Sequence, residues 1–323
     1  MSESVLPSGL CVALSGGVGG AKLALGLSRC LADDDLLIVA NTGDDFEHLG
    51  LHVSPDLDTV MYTLAGLSNL ETGWGLAGES WGFLEALEAL GGETWFRLGD
   101  RDLATHVERS RRLRQGESLS EVTRTLCSSL GIEARIVPMT DDRVSTVVHS
   151  DAGDLDFQHY FVREGCRPAV SGFHFAGIED AAAAPEFQAA ITADELCCVI
   201  VCPSNPFVSV DPILLLPGVA GALLAGSAPI VAVSPIVGGE AIKGPAAKMM
   251  RELDLPVSAV EVARHYRRRD LLHGFVLDEV DAKLAPEIED LGLGVLVTDT
   301  VMNSLDDRVR LAQETLAFAC RLA

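Results

Sequence analysis

Five short apolar runs, each closed by a turn residue, constrain what this chain can fold into. They are LCVALSGG (10–17), LLIVANT (36–42), LCCVIVCP (196–203), APIVAVSP (228–235) and GVLVTDT (294–300). A run that is apolar at every position has no polar face to turn towards water. It suits a strand covered on both sides, as in parallel sheets whose crossover helices lie on both faces. AKLALGLSRCL (21–31), between the first two runs, has helical spacing. This alternation predicts an α/β fold, with a Rossmann-like, doubly wound, mostly parallel sheet.

The middle of the chain reads differently. Residues 80–130 carry helical spacing and many charges, as in ERSRRLRQGESL, and TVVHSDAGDLDFQHYFV (146–162) reads as a hairpin turning at Ala152-Gly153. A single Rossmann-like catalytic domain over 1–323 is expected, with a mainly helical insertion or subdomain at about 65–190. EDAAAAPEFQAA (179–190) reads as a surface loop and helix.

With 323 residues, 48% of them hydrophobic, the chain can bury a large core. Its formal net charge of −23 argues against a nucleic-acid partner and requires local compensation for any phosphorylated ligand. No apolar run reaches membrane-spanning length, and MSESVLPSGL lacks the basic start of a signal peptide. Eight scattered cysteines without a CxxC pair read as reduced thiols of a cytoplasmic protein. No zinc-site histidine spacing and no Ser-His-Asp or Cys-His pattern stands out.

SGGVGGAKL (15–23) follows the first run and opens the first helix. Gly16, Gly17, Gly19 and Gly20 allow close backbone approach, and helix-start N–H groups face an anion. The plain alternative is a tight turn without a ligand. Gly17 and Gly19 fit the first two positions of a dinucleotide fingerprint, but Lys22 stands at the third and Asn41, not an acid, ends the second run. Ala21-Lys22-Leu23 is not the Gly-Lys-Ser/Thr of a P-loop either. A dehydrogenase is therefore disfavoured, while Lys22 either reaches a phosphate or faces solvent. Two later loops follow apolar runs in the same way. CPSNPFVSVDPI (202–213) offers Ser204, Asn205 and Ser209; SPIVGGEAIKGPAAK (234–248) offers Gly238, Gly239, Lys243 and Gly244 before a helix start at Pro245. Ligands of open α/β sheets sit beyond the carboxyl ends of the strands, so the three loops predict a nucleotide or diphosphate site.

VANTGDDFEHLGLHVSPDLDT (39–59) places Asp44 and Asp45 after the second run, and Asp56 and Asp58 before a helix beginning near Thr59. Asp58 could be a simple cap. A diphosphate beside so many carboxylates is repelled unless a hard cation lies between, and magnesium uses one or two carboxylates plus phosphate oxygens. Asp44, Asp45 and Asp56 are the candidate magnesium ligands, two of them being sufficient. In WFRLGDRDLATHVERSRRLRQG (95–116), Arg97 can clamp a phosphate or stack on a ring, whereas Asp102 and His106 read as a surface ion-pair network. Trp74 and Trp81 could flank a planar ring or pack in a lid, and Asp141-Asp142 forms another acidic turn after an apolar strand.

Taken in order, SGGVGGAKL, VANTGDDFEHLGLHVSPDLDTVMYTLAG, the Trp-Gly stretch near 81, WFRLGDRDLATHVERS, PMTDDRVSTVV, CPSNPFVSVDPIL and VAVSPIVGGEAIKGPAAKMM resemble the 2-phospho-L-lactate transferase family of coenzyme F-420 biosynthesis. The resemblance runs from about residue 10 to 250, and VTDTVMNS further on is also similar. It implies a Rossmann-like fold, a magnesium requirement and a tendency to form homodimers. It also implies a reaction: a phospholactyl or phosphoenolpyruvyl group moves from a guanosine diphosphate adduct to the ribityl hydroxyl of the deazaflavin Fo, releasing GMP. By resemblance Asp58 and Arg97 contact Fo, with Asp58 the first choice to orient or deprotonate the hydroxyl. The glycine loop, Ser204-Asn205 and the 238–245 loop would hold the guanosine diphosphate part. Relatives commonly read Ser-Ile-Gly-Pro-Ile where this chain reads Ser-Val-Asp-Pro-Ile, so Asp211 replaces a glycine. The alternative is a non-catalytic nucleotide- or sugar-phosphate-binding regulator on the same fold, which would bind nucleotide but not Fo.

Overall fold

The structure, a computed structural model, describes residues 7–323. Seven parallel strands form its central sheet: β1 (Leu10–Ser15), β2 (Leu36–Ala40), β3 (Arg135–Pro138), β4 (Leu196–Val201), β5 (Ile230–Val233), β6 (Gly274–Asp278) and β7 (Gly294–Thr298). Their spatial order is 3-2-1-4-5-6-7. The first six positions follow the doubly wound order of dinucleotide-binding folds, in which the direction of winding reverses between β1 and β4.

Alternate side chains of each strand feed two separate cores. Val12, Leu14, Leu37, Val39, Val199 and Val201 enter one; Cys11, Ala13, Leu36, Ile38, Cys198 and Ile200 enter the other. Helices α1 (Gly17–Ser28) and α2 (Pro55–Leu64), and the C-terminal helix Leu305–Leu322, cover the second core with Leu23, Leu57 and Leu316. Phe187, Met249 and Val262, on helices Pro185–Ile191, Ala246–Glu252 and Ala259–Arg267, cover the first. Cover on both faces is the reason the strands read as unbroken apolar runs.

The stretch 65–190 is not one inserted body. Residues 65–118 lie outside the sheet and carry α3 (Gly82–Ala89) and α4 (Asp100–Arg114). The chain then returns through α5 (Leu119–Ser129) to β3, which pairs with β2. β3 has four residues, starts on Arg135 and ends on Pro138. It lies at the sheet edge, where a proline leaves no neighbouring strand without a donor, and it lacks the length that marks the central strands. The expected hairpin is present: Ser145–Ser150 pairs with Gly153–Asp156 around a turn at Asp151-Ala152, and Val170–Ala176 adds a third antiparallel strand. Residues 179–190 form the expected loop and helix (Pro185–Ile191), exposed at Glu179, Asp180, Ala182, Pro185 and Ala189, with Ala181, Ala184 and Phe187 buried in the sheet's first core.

All eight cysteines are free. Among the described residues no single helix is long and apolar enough to cross a membrane.

The contact between α1 and the C-terminal helix depends on Gly26, where a Cβ would lie 2.1 Å from the Arg308 carbonyl oxygen. Gly26→Ala is expected to cost about 1–3 kcal/mol, because backbone cannot yield as a side chain does. Gly221, in helix Val219–Ala225, has open space around it. Gly221→Ala should instead stabilise by up to about 1 kcal/mol. Thermal unfolding of both variants checks the pair; equal midpoints would contradict the packing.

Candidate active site

A cleft of about 570 Å³ opens where β1 and β4 part. Residues 16–19 after β1, 203–209 after β4 and 242–246 after β5 contribute its loops, and Asp44, Pro55 and Asp56 a wall. The first two loops touch closely: a Cβ on Gly19 would stand 2.4 Å from the Pro203 carbonyl oxygen, and Gly17 has φ +65°. Two N–H groups expected to cradle phosphate already have partners. That of Gly16 donates to Ser204 Oγ (3.1 Å) and that of Gly17 to Asp56 Oδ1 (2.7 Å). Val18 and Gly19, next in the first turn of α1, have no intrahelical acceptors for their N–H groups and line the cleft. Gly20 does not line the cleft but packs against the hydroxyls of Ser15 and Ser204.

Basic groups gather at one end. Lys22 lines the cleft and donates to the Met302 carbonyl (2.8 Å). Burial lowers its pKa, and the nearby charges of Arg308 and Lys243 lower it further. Lys243 and Gly244 also line the cleft, with Lys243 Nζ 3.3 Å from the Thr72 carbonyl oxygen. Gly238 and Gly239 do not. They form the two-residue turn of a hairpin, Ile236–Val237 with Glu240–Ala241, at φ +59° and +79°, and the Gly238 N–H donates to Asp281 (2.8 Å). Two adjacent glycines between short strands are a hairpin signal in their own right. Ser204 and Asn205 both line the cleft, and the Asn205 side chain accepts from the Phe207 N–H (3.0 Å). Asp211 turns inward, its carboxylate 3.0 Å from His265 and 2.9 Å from Arg269. It therefore brings no negative charge to the cleft.

Of the four aspartates, Asp44 and Asp56 line the cleft and Asp45 and Asp58 do not. Asn41, at the end of β2, holds the first two together: its Nδ2 lies 2.9 Å from Asp56 Oδ2 and 3.3 Å from Asp44 Oδ1. Gln158 Nε2 donates to Asp44 Oδ2 (3.0 Å). Burial, then the charges of Asp56 and Asp45, pushes the Asp44 carboxyl far above the usual range. Burial likewise pushes Asp56 up to about 6. No basic side chain among the described residues pairs with either, and no group of three or more His, Cys, Asp or Glu is arranged to hold a metal. Two uncompensated carboxylates facing a cleft are a donor set for a hard cation whose remaining ligands come from substrate oxygens and water. Asp45 lies off the cleft lining, with its Oδ2 held by Ser54 Oγ (2.7 Å) and His52 Nε2 (3.0 Å) and its Oδ1 buried without a partner.

Helix α2 starts at Pro55, not near Thr59, since proline is pre-organised for a first helical position. Asp56 and Asp58 thus both lie in its first turn. Residues two apart on a helix point about 200° away from each other, so only one can face the cleft. Asp58 faces α4 instead, where Arg109, which is fully buried, grips both its oxygens. His106 Nδ1 lies 3.3 Å from Arg109 Nη1, and the Tyr62 hydroxyl donates to Asp102 Oδ1 (2.7 Å). Burial raises the Asp102 carboxyl, but bonding from His106 and Tyr62 outweighs it and leaves the group below its ordinary value. Asp102 and His106 are interior groups, not the surface pair their charges suggest. Arg97 does line the cleft, with its guanidinium 4.3 Å over the Trp81 ring; Trp74 lines it too, and Trp81 does not. Asn41 and Gln158 are the site residues that sequence reasoning missed. A buried asparagine ending an apolar strand beside a glycine loop was a usable signal for the first, whereas nothing local marks Gln158.

Removing the Asp58 carboxylate strands a buried guanidinium, so Asp58→Ala should cost about 3–5 kcal/mol. Combining it with Arg109→Met should cost less than Asp58→Ala alone; chemical denaturation of Asp58→Ala, Arg109→Met and the double variant checks this, and additive losses would contradict it. Asp56 gives a pH signature of its own. Its carboxyl sits higher folded than unfolded, so the folded state holds the proton more tightly. Ionisation then costs stability as pH rises from the ordinary carboxyl value of about 4 towards 6, and the cost is fully present above. Relative to Asp56→Asn, the metal-free protein should lose stability over that window; a difference constant from pH 4.5 to 7 would refute it.

The family model for 2-phospho-L-lactate transferase CofD matches residues 11–300. A phosphoenolpyruvate transferase of Streptomyces avermitilis is 42% identical to this chain, over 95% of it and 97% of the relative. A 2-phospho-L-lactate transferase of Methanopyrus kandleri is 40% identical, over 94% and 95%. The crystal structure of a UPF0052 family protein from Bacillus halodurans aligns with a TM-score of 0.61 at 14% identity, covering 97% of this chain and 100% of that one, which supports the fold alone. The chain belongs to the 2-phospho-L-lactate transferase CofD family and is a transferase of coenzyme F-420 biosynthesis.

Proposed function

We propose that the enzyme moves a phospho-acyl group, phospholactyl or phosphoenolpyruvyl, from a guanosine diphosphate adduct to the ribityl hydroxyl of Fo, with GMP as the other product. The observation that carries this reading is one cleft holding both a cationic end, Lys22 with Lys243, and a pair of uncompensated buried carboxylates, Asp44 with Asp56. A diphosphate needs the first, and the second fits a divalent cation that would accompany it.

The chemistry is an in-line displacement. The Fo hydroxyl oxygen bonds to the distal phosphorus, the bond from that phosphorus to the bridging oxygen breaks, and GMP leaves with the electron pair. Asp44 and Asp56 would hold magnesium, which when bound supplies charge neutralisation for the diphosphate. Lys22, Lys243 and the N–H groups of Val18 and Gly19 bind the phosphates. Arg97, kept flat by Trp81, orients the acceptor with its planar fork. Asp58 is unavailable to the hydroxyl because Arg109 holds both its oxygens. Of Asp44 and Asp56, one would suffice as the cation's carboxylate ligand, and the other takes the hydroxyl proton. Positioning and electrostatics outweigh base strength in such transfers. Small-molecule substrates are the only partners this scheme needs, and eight free thiols suit a reducing cytoplasm.

Mass spectrometry of Fo after incubation with the protein, magnesium and each of the lactyl, enolpyruvyl and glyceryl adducts tests the proposal. The expected result is a gain of one phospho-acyl group, with GMP released, from one preferred donor. Guanosine nucleotide binding without any change in Fo would point to the regulator reading instead. Lys22→Met should raise the KM for the donor by about 10–100-fold, the loss of a charged hydrogen bond. Asp44→Asn should lower kcat by about 100-fold or more, and the protein should lose activity on chelation of magnesium.

A further inference from the structure

The aspartates around the cleft are held in two ways. Asp58 meets the Arg109 guanidinium and Asp45 the His52 ring, groups that carry or can take up positive charge. Asp44 and Asp56 meet neutral donors alone among the described residues. The Asn41 amide reaches both, the Gly17 N–H reaches Asp56, and the Gln158 amide reaches Asp44. A neutral amide fixes the direction of a carboxylate without cancelling its charge. Glutamine is mostly exposed in proteins, yet Gln158 is only 4% exposed and sits in the cleft wall. It lies between the strand Gly153–Asp156 and the π-helical turn His159–Arg163. Phe157 before it and Tyr160 after it are buried in the sheet's first core, which fixes the backbone that carries it. From there its Nε2 lies 3.0 Å from Asp44 Oδ2 and 3.5 Å from the Asp44 carbonyl oxygen, and it makes no other side-chain hydrogen bond among the described residues. Asn41 stands farther from Asp44, at 3.3 Å, and is also tied to Asp56, the Gly43 N–H and the Val208 carbonyl. Gln158 therefore gives Asp44 its shorter hold and serves Asp44 alone.

We infer that Gln158 is a positioning residue, which keeps the Asp44 carboxylate turned to the cleft as a ligand for the divalent cation; this rests on the proposed magnesium-dependent transfer. Carboxylates that bind metals are themselves hydrogen-bonded, and losing such an outer partner costs about 10–100-fold in metal affinity or activity. An amide suits this task, because a lysine or arginine in its place would compete with the cation for the same oxygens and repel it. The antiparallel sheet adds no strand to the central one, yet through Gln158 it takes part in the chemistry of the cleft.

Relaxation of water protons by Mn2+ tests this, with the full chain in excess over GDP so that bound nucleotide supplies the remaining oxygens. GDP affinity is measured separately without metal. Gln158→Met keeps an unbranched side chain of similar length but has no donor, whereas Gln158→Asn keeps the amide and withdraws it by one methylene. Both should weaken Mn2+ binding about tenfold or more and leave metal-free GDP affinity within about twofold. Methionine would satisfy a merely space-filling role, so wild-type Mn2+ affinity in Gln158→Met would overturn the inference. If that variant does not fold, wild-type Mn2+ affinity in Gln158→Asn would overturn it equally. Mn2+ that is bound no better by wild-type protein with GDP than by GDP alone would overturn the cation reading itself, and the role of Gln158 with it.

Discussion

The reversal of winding at β1 governs this molecule. β2 lies on one side of β1 and β4 on the other. The chain leaving β1 must turn into α1 on one face, and the chain leaving β4 turns away from it. Two loops therefore diverge at the same edge, and no side chain from the sheet fills the gap between them. Gly16, Gly17 and Gly19 line that gap with backbone alone. The cleft is a consequence of topology, and the residues around it only furnish it.

Electrostatics then divides the furnishing. The chain as a whole carries −23, a hostile field for a diphosphate. Lys22, Lys243 and the start of α1 offset it locally at one end. Beside the start of α1, Asn41 gathers Asp44 and Asp56 into a carboxylate pair that burial makes costly to ionise. Asp56 also meets the Gly17 N–H at the start of α1, so one carboxylate serves the fold, by capping a helix, and the cleft.

Behind the cleft, the pair Asp58–Arg109 ties α2 to α4. The His52 N–H donating to Ser110 Oγ (2.8 Å) adds a second tie between α4 and the strand that precedes α2. These contacts hold the wall carrying Asp56 against the segment that carries Arg97. Asp58 itself is outside the cleft lining, with both carboxylate oxygens on Arg109.

Much of this was legible in the chain alone. Unbroken apolar runs determine buried parallel strands, because a strand with no polar face must be covered twice; five of the seven central strands read directly. β3 was legible as the apolar strand before the Asp141-Asp142 turn, but its place in the central sheet was not, since a four-residue strand ending in proline looks no different inside an excursion. The motifs likewise named loops that meet: Gly16–Gly19, Ser204-Asn205, Lys243-Gly244 and the aspartate segment all border one cleft. What tertiary structure alone decided was direction. A sequence states that Asp44, Asp45, Asp56 and Asp58 are near each other along the chain, but not which way each points. Helical rotation sends Asp58 to a buried arginine 51 residues away, and the Gly238-Gly239 turn spends its glycines on a hairpin. Gln158, 114 residues from Asp44, joins it only because the antiparallel sheet folds back over the strand ends. Burial and pairing depend on partners distant in sequence, and local pattern carries no record of them.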